Sequence, residues 1–165
     1  FCSNQVGSMF GLFFTDQTQV RDFAQVNRCD ITKFQQFFHL VAAARLLLDA
    51  GYELVARNVE AGGVELDIVA RDPCESPALF VFVEVRSRAS ARLGHPLETI
   101  DARKRKRLIR GATAWLMQAG LWEKVAVRFD VIAVLRDYSI GVEQVDVPLQ
   151  ASEFEWLRGA FEADG

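Results

Sequence analysis

Two strand-like runs of the chain each carry an acidic residue inside an otherwise apolar stretch. They read VELDIVA at 64–70 and FVFVEVR at 80–86. A carboxylate is costly to remove from water unless something pairs with it, so acids in buried strands are candidates for a metal or catalytic site. Side chains alternate along a strand, which places Glu84 and Arg86 on one face, and Asp67 can meet Glu84 if the two strands pair.

The pattern around these runs predicts an α/β fold. Thr32, with Gln35 three residues later, forms a capping-box pattern, and the helix that it starts is expected to end at Gly51. The elements expected next are strands at 52–58, 64–71 and 79–87, a helix at 101–119 and a strand at 125–135. The order α-β-β-β-α-β predicts a mixed central sheet flanked by helices.

The two ends of the chain are less informative than its centre. Residues 1–31 are interpreted as a poorly defined N-terminal extension with a short helix near 15–26, and residues 32–165 as a single α/β domain. A strand is expected at 140–147, and Ser152 with Glu155 predicts a short capped helix at the end. The apolar stretch 10–14 is too short for a membrane span and lacks the basic residues of a signal peptide, so no membrane association is expected.

Composition excludes several classes of site. The chain has 165 residues, of which half are apolar, which suits one domain with a substantial core. Its three cysteines and two histidines are widely separated, which argues against a zinc cluster and against a disulfide framework. This cysteine usage fits a reducing compartment, and the cytoplasm is the expected location.

Positive charge is concentrated after the second acidic strand. The formal net charge is -3, yet nine of the 19 basic residues lie between Arg86 and Arg110, with only two acids among them. A phosphate backbone responds to local charge, so this segment is a candidate nucleic-acid-binding surface. The alternative is the solvated face of an amphipathic helix. The candidate residues are Arg88, Arg103, Lys104, Arg105, Lys106 and Arg107.

An acid in one strand followed by Glu-x-Lys in the next is the arrangement of the PD-(D/E)xK nucleases. The longer text, with GYELVARN at 51–58, ELDIVA at 65–70, FVEVRSR at 82–88 and RFDV at 128–131, resembles the YraN family of small bacterial proteins. The resemblance covers about 38–135. It implies a restriction-endonuclease-like three-layer core of α-β-β-β-α-β order, related to archaeal Holliday-junction resolvases.

The resemblance also implies a site. Asp67 and Glu84 match the metal ligands of the family, which would hold Mg²⁺ or Mn²⁺, and Glu65 matches the glutamate that precedes them. Asp67, Glu84 and Arg86 are then the expected catalytic set, and in hydrolysis Lys104 or Arg86 is expected to supply positive charge. The implied partner is DNA, branched by analogy with the resolvases, and cutting two strands would call for a homodimer.

Three positions depart from the family pattern. Arg86 stands where the family has lysine, His39 stands where the first helix usually offers glutamate, and Val64 replaces a glycine. Arginine keeps the positive charge but cannot act as a base. Histidine could replace the helix carboxylate only as a neutral nitrogen ligand, which Mg²⁺ disfavours.

Three functions therefore remain open. The first is a metal-dependent nuclease. The second is a catalytically impaired relative that binds DNA or a DNA-processing partner. The third is a protein-interaction scaffold, in which the basic helix docks onto an acidic partner. A separate, structural alternative for the two acids is an ion pair with nearby arginines: Arg86 or Arg88 for Glu84, and Arg57 or Arg71 for Asp67.

Overall fold

A helix, three strands, a second long helix and a fourth strand follow one another along the chain, as the sequence predicts. A computed structural model describes residues 1–6, 9–87, 100–135 and 154–163. Its elements are β1 (Cys2–Val6), β2 (Met9–Phe13), α1 (Phe23–Val26), α2 (Ile31–Asp49), β3 (Glu53–Ala61), β4 (Val64–Asp72), β5 (Leu79–Ser87), α3 (Ala102–Gln118), β6 (Ala126–Val134) and β7 (Phe154–Phe161).

The central sheet is mixed and has five strands in the order β3-β4-β5-β6-β7. Neighbouring strands are antiparallel except β5 and β6, which are parallel from Leu79–Ala126 to Ser87–Val134. A parallel pair requires a crossover connection, and α3 lies within the connection between these two strands. The acidic positions of β4 and β5 are therefore on adjacent strands at the middle of the sheet.

Helices α2 and α3 cover opposite faces of the sheet. Alternate residues of β5 belong to different apolar cores, which identifies the two faces. The core beneath α2 includes Ala43, Leu47, Val81, Val83 and Ile132, and the core beneath α3 includes Phe80, Phe82, Leu108, Ala112 and Val131. The result is a three-layer arrangement of helix, sheet and helix.

Helix α2 begins one residue before the predicted capping box. Its N-cap is Asp30, whose side chain accepts a hydrogen bond from the Lys33 amide, and the helix starts at Ile31. The prediction that Thr32 caps the helix is wrong. The Asp30 carboxylate already accepts from the Lys33 amide, one of the first-turn amides that have no partner within the helix.

The final element is a strand, and the predicted terminal helix is wrong. Residues 154–161 pair with β6 in antiparallel register, from Val134–Phe154 to Phe129–Phe161. Gly159 has a φ of 61°, which interrupts any helical run at this point. Pairing with the edge of β6 therefore determines the conformation of residues 154–161, in spite of the capping pattern of Ser152 and Glu155. Ser152 and the predicted strand at 140–147 lie outside the described residues.

The N-terminal segment contains a two-stranded antiparallel hairpin of β1 and β2 that is separate from the main sheet. The short helix α1 falls within 15–26, where the sequence places one. The apolar residues 10–14 mostly lie in β2. Across the described ranges, no helix combines the length and the apolarity needed to cross a bilayer.

A buried ion pair joins β6 to the last strand. Asp130, whose side chain is fully buried, accepts hydrogen bonds from Arg128 at 2.8 and 2.9 Å, from the Trp156 indole at 2.9 Å and from the Gly159 amide at 2.9 Å. Arg128 in turn donates to the Tyr52 hydroxyl at 3.0 Å. Every oxygen of this carboxylate is thus bonded twice, which makes Asp130 a structural residue.

Replacing Arg128 with Met should lower the free energy of unfolding by about 3 kcal/mol, because the Asp130 carboxylate would stay buried without its charge partner. Urea denaturation measures the loss. The matched control is Arg71→Met, which breaks an exposed Arg71–Glu53 pair of 2.8 Å and should change stability by less than about 1 kcal/mol. Equal losses in the two variants would contradict this account of the Asp130 cluster.

Candidate active site

Asp67 lies where the alternation of β4 is broken. Leu66 and Val69 both pack in the core beneath α3, whereas Ile68 packs beneath α2. Residues three apart cannot share a face of a regular strand, so the strand is distorted between them. The facing position on β3, between the pairs Arg57–Ile68 and Val59–Leu66, is Asn58, whose φ of 48° is left-handed.

Beyond the last main-chain pair of β4 and β5, the Asp67 carboxylate provides the hydrogen bond between the two strands. The paired residues of these strands run from Asp72–Leu79 to Ile68–Val83. Immediately beyond the last pair, Oδ2 of Asp67 accepts a hydrogen bond of 2.8 Å from the Val85 amide. The side chain is therefore fixed against β5, beside Glu84.

Glu84 lies on the face of the sheet that α3 covers. It follows Phe80 and Phe82 in the β5 alternation, and its side chain is only 10% exposed. The charge is balanced by Lys104, whose Nζ lies 2.8 Å from Oε1 of Glu84. The sequence suggests Arg86 or Arg88 as ion-pair partners of Glu84 but not Lys104, and Arg88 lies outside the described residues.

The start of α3 determines where Lys104 lies. Asp101 is the N-cap of α3, and its side chain accepts a hydrogen bond of 2.7 Å from the Lys104 amide. One face of α3 packs closely on β4 at Gly111, which has no side chain. A Cβ at this position would lie only 3.0 Å from Leu66 and 3.1 Å from Val64. Lys104 is two turns before Gly111 on this face, and it therefore projects toward β5.

Burial and charge act together on Asp67. Its pKa is raised from an ordinary value of 3.8 to about 7, first because burial disfavours the ionised form and second because Glu84 is negatively charged. The Val85 amide and Lys104 lower the pKa, and Glu65 raises it slightly. The two carboxyl groups thus repel each other in a poorly solvated place, where either a proton or a cation relieves the repulsion.

The oxygen donors of this pair fit a hard divalent cation. Mg²⁺ is often held by one or two carboxylates, with water and substrate phosphates completing its shell, and Mn²⁺ also accepts such oxygen ligands. In the part of the chain that the structure describes, no three His, Cys, Asp or Glu side chains lie close enough to hold a metal ion together. The structure therefore does not bring Glu65 or His39 together with the pair as a third protein ligand.

The remaining predicted residues occupy separate places. Glu65 is exposed on β4, and His39 is buried on α2. Arg86 is half-buried on β5, on the same face as Glu84 by the alternation of the strand. Arg88 lies outside the described residues.

The five consecutive cations of α3 do not act as one surface. Lys104 points inward to Glu84, while Arg105 donates to the carbonyl of Ile100 at 2.8 Å and lies over the Phe161 ring. From the sequence, Lys104 is expected among the phosphate-binding residues and, with Arg86, as a source of positive charge for hydrolysis, but its contact with Glu84 is not predicted. Its spacing of four residues before Leu108 and eight before Ala112, both buried, was the available signal.

Comparison with known proteins gives a consistent family match. Residues 41–134 match the sequence model of the uncharacterised protein family UPF0102. A UPF0102 protein of Nitratidesulfovibrio vulgaris is 46% identical over 92 residues, covering 56% of this chain and 65% of the relative. UPF0102 proteins of Moorella thermoacetica and Stutzerimonas stutzeri are 44% and 37% identical over 120 and 121 residues, each covering 73% of this chain and 88% of the relative.

The raised pKa of Asp67 predicts a specific pH dependence of stability. Between about pH 4 and pH 7 the folded protein holds a proton that the unfolded chain has lost, so the free energy of unfolding falls as pH rises through this window. One proton gives a slope of at most about 1.4 kcal/mol per pH unit. The amide side chain of Asp67→Asn does not ionise in this pH range, so the variant lacks this contribution.

The measurement is urea denaturation of both proteins in EDTA at several pH values. The stability of Asp67→Asn relative to the parent should increase from about pH 4 to pH 7 and then level off. A relative stability that stays constant, or that decreases over this range, would show that the Asp67 carboxyl ionises normally.

Proposed function

The chain belongs to the UPF0102 family, and on that premise we propose that it is a metal-dependent nuclease-like protein that hydrolyses phosphodiester bonds in structured DNA. The observation that supports this most directly is the pair of carboxylates, Asp67 and Glu84, with the ammonium of Lys104 at 2.8 Å from Glu84. Two acids and a cation in a partly desolvated place are the groups that phosphodiester hydrolysis needs.

The fold class supports the same proposal. The order α-β-β-β-α-β and the mixed sheet between two helices agree with a restriction-endonuclease-like core, which the sequence resemblance also implies. In this proposal the substrate is branched DNA by analogy with Holliday-junction resolvases. A homodimer would supply the second site needed to cut both strands.

Asp67 and Glu84 would hold the cation through their oxygens, and the Val85 amide orients Asp67 for this role. Mg²⁺ or Mn²⁺ at this position would polarise the scissile phosphate and activate water. Because the cation would offset the mutual repulsion of the two carboxylates, its binding should also displace the proton from Asp67.

Lys104 supplies the ammonium in this proposal. The strand position at which PD-(D/E)xK nucleases have lysine is Arg86 here, and a guanidinium differs from an ammonium in geometry and cannot give up its proton. Lys104 approaches Glu84 from α3 and is 35% exposed, so it can also reach a substrate phosphate. It would stabilise the negative charge that develops on the phosphorus oxygens, while Arg86 would bind a neighbouring phosphate.

A second candidate is a nuclease-fold protein that binds DNA without cutting it. The Glu84–Lys104 ion pair favours this candidate, because it already neutralises one of the two carboxylates. The double substitution His39→Glu with Arg86→Lys restores the family residues. New Mn²⁺-dependent cleavage in this variant, absent from the parent, would favour the binding module.

Asp67→Asn should abolish Mg²⁺- or Mn²⁺-dependent cleavage of a four-way junction or flap substrate, because the amide cannot balance the charge of a cation. Isothermal titration of Mn²⁺ into the same variant should show no binding heat at the site. Glu53→Gln, on the exposed part of β3, is the control and should cut at the parental rate. Unchanged cleavage by Asp67→Asn would exclude this site.

Lys104→Met separates metal binding from catalysis. The cleavage rate should fall by roughly 100-fold, the usual loss when one charge-stabilising donor is removed. Mn²⁺ should bind as tightly as in the parent or more tightly, because the ammonium no longer competes for Glu84. Loss of both properties together would mean that Lys104 serves only to support the structure of the site.

A further inference from the structure

Four cations form a stripe on the exposed side of α3. They are Arg103, Lys106, Arg107 and Arg110. Successive members lie three, one and three positions apart, so all four share one face of the helix over two turns. Together with Ala102 they line an open depression on the surface. We refer to these four residues as the α3 stripe.

The α3 stripe is distinct from the other two cations of the basic run. Lys104 is bound to Glu84, and Arg105 is bound to the carbonyl of Ile100. Arg110, by contrast, lies outside the five consecutive basic residues but belongs to the stripe by position. The helix therefore divides its cations between the candidate active site and an outward surface.

The α3 stripe is unfavourable for the helix that carries it. From Ala102 to Gln118 the helix contains no acidic residue, and like charges three and four residues apart repel each other. Positive charge near a helix N-terminus is also opposed by the helix dipole. Among the described residues, none of the four cations is in a salt bridge with an acid. An external anion would relieve this repulsion.

We infer that the α3 stripe binds the sugar-phosphate backbone of a nucleic acid, without reading its base sequence. From residue 103 to residue 110 the helix rises about 10 Å, so its four cations lie close enough together to contact a short run of phosphates on a duplex. Arginine suits this ligand, because its planar fork binds phosphate oxygens in pairs.

The lining of the depression favours contacts with the backbone. It consists of Ala102 and the four cations, without the amide or carboxylate side chains that read adenine and cytosine, and cations of this kind bind phosphates of any sequence. This inference rests on the proposed function in one respect: the bound strand would lead past Lys104 to Asp67 and Glu84. The binding itself needs neither metal nor hydrolysis.

The test is fluorescence anisotropy with a labelled duplex and a labelled four-way junction, in EDTA, over a series of salt concentrations. Four phosphate contacts predict a slope of log K against log salt near about -3.6. The double variant Arg107→Gln/Arg110→Gln should reduce its magnitude by about 1.8. The control, Arg45→Gln/Arg71→Gln, removes the same charge from exposed ion pairs elsewhere and should keep the parental slope.

Two further readouts decide the inference. Two duplexes of unrelated sequence should bind within about twofold of each other, and the urea midpoint of Arg107→Gln/Arg110→Gln should equal or exceed that of the parent, since repulsion is relieved. An equal loss of slope in the control would overturn the inference, as would a lower urea midpoint in the stripe variant. Binding to vesicles of anionic lipid under salt conditions where DNA does not bind would also overturn it.

These outcomes are separable from the proposed hydrolysis. If the duplex and the junction bind as expected in EDTA but Mg²⁺ and Mn²⁺ give no cleavage, the α3 stripe stands and the nuclease proposal fails. If cleavage occurs and the stripe variant binds and cuts like the parent, the stripe inference fails while the active site stands.

Discussion

Repulsion between two carboxyl groups at the centre of the sheet is the constraint on which the site depends. Asp67 and Glu84 come from adjacent strands, and burial removes much of the water that would otherwise screen them. Lys104 and the Val85 amide hold the pair together from the α3 side and from the backbone. The strand distortion at Asp67 places its side chain where both of these partners act.

Helix α3 links this pair to the surface. Its N-cap at Asp101 and its close packing at Gly111 fix the rotation of the helix, so that Lys104 projects inward while the α3 stripe faces solvent. The stripe adds like-charge repulsion to a helix that contains no acids. Binding of an anion to the α3 stripe would offset this repulsion and restore the lost stability. The same helix would then bring the anion next to the two carboxylates.

Much of the fold could be predicted from the sequence, because it depends on local patterns. Strand alternation and the helix stop at Gly51 gave the order of elements from α2 to β6. The last strand was predicted as a helix, since its conformation depends on pairing with β6, and no local pattern contains that partner. Asp30 was missed as the N-cap because Thr32 offers a similar pattern two residues later.

The site was predictable in its acids and less so in its cation. Asp67 and Glu84 are visible as charges inside apolar strands, whereas the pairing of those strands is only an assumption until the structure shows it. The position of Lys104 depends on the rotation of α3 about its axis. The sequence indicates this rotation only through the spacing of Lys104 from Leu108 and Ala112, four and eight residues later, which are buried. The distortion at Asn58 and Asp67 arises from the backbone of two paired strands and has no signature in either run alone.

Joint binding of one divalent cation by Asp67 and Glu84 can be tested by the broadening of amide NMR signals that substoichiometric Mn²⁺ causes in the isotope-labelled protein. The Val85 amide, which donates to Asp67, should broaden first and most strongly, and Asp67→Asn should remove the effect. A Val85 signal that persists while amides beside exposed acids such as Asp49 broaden would contradict joint binding by the two carboxylates.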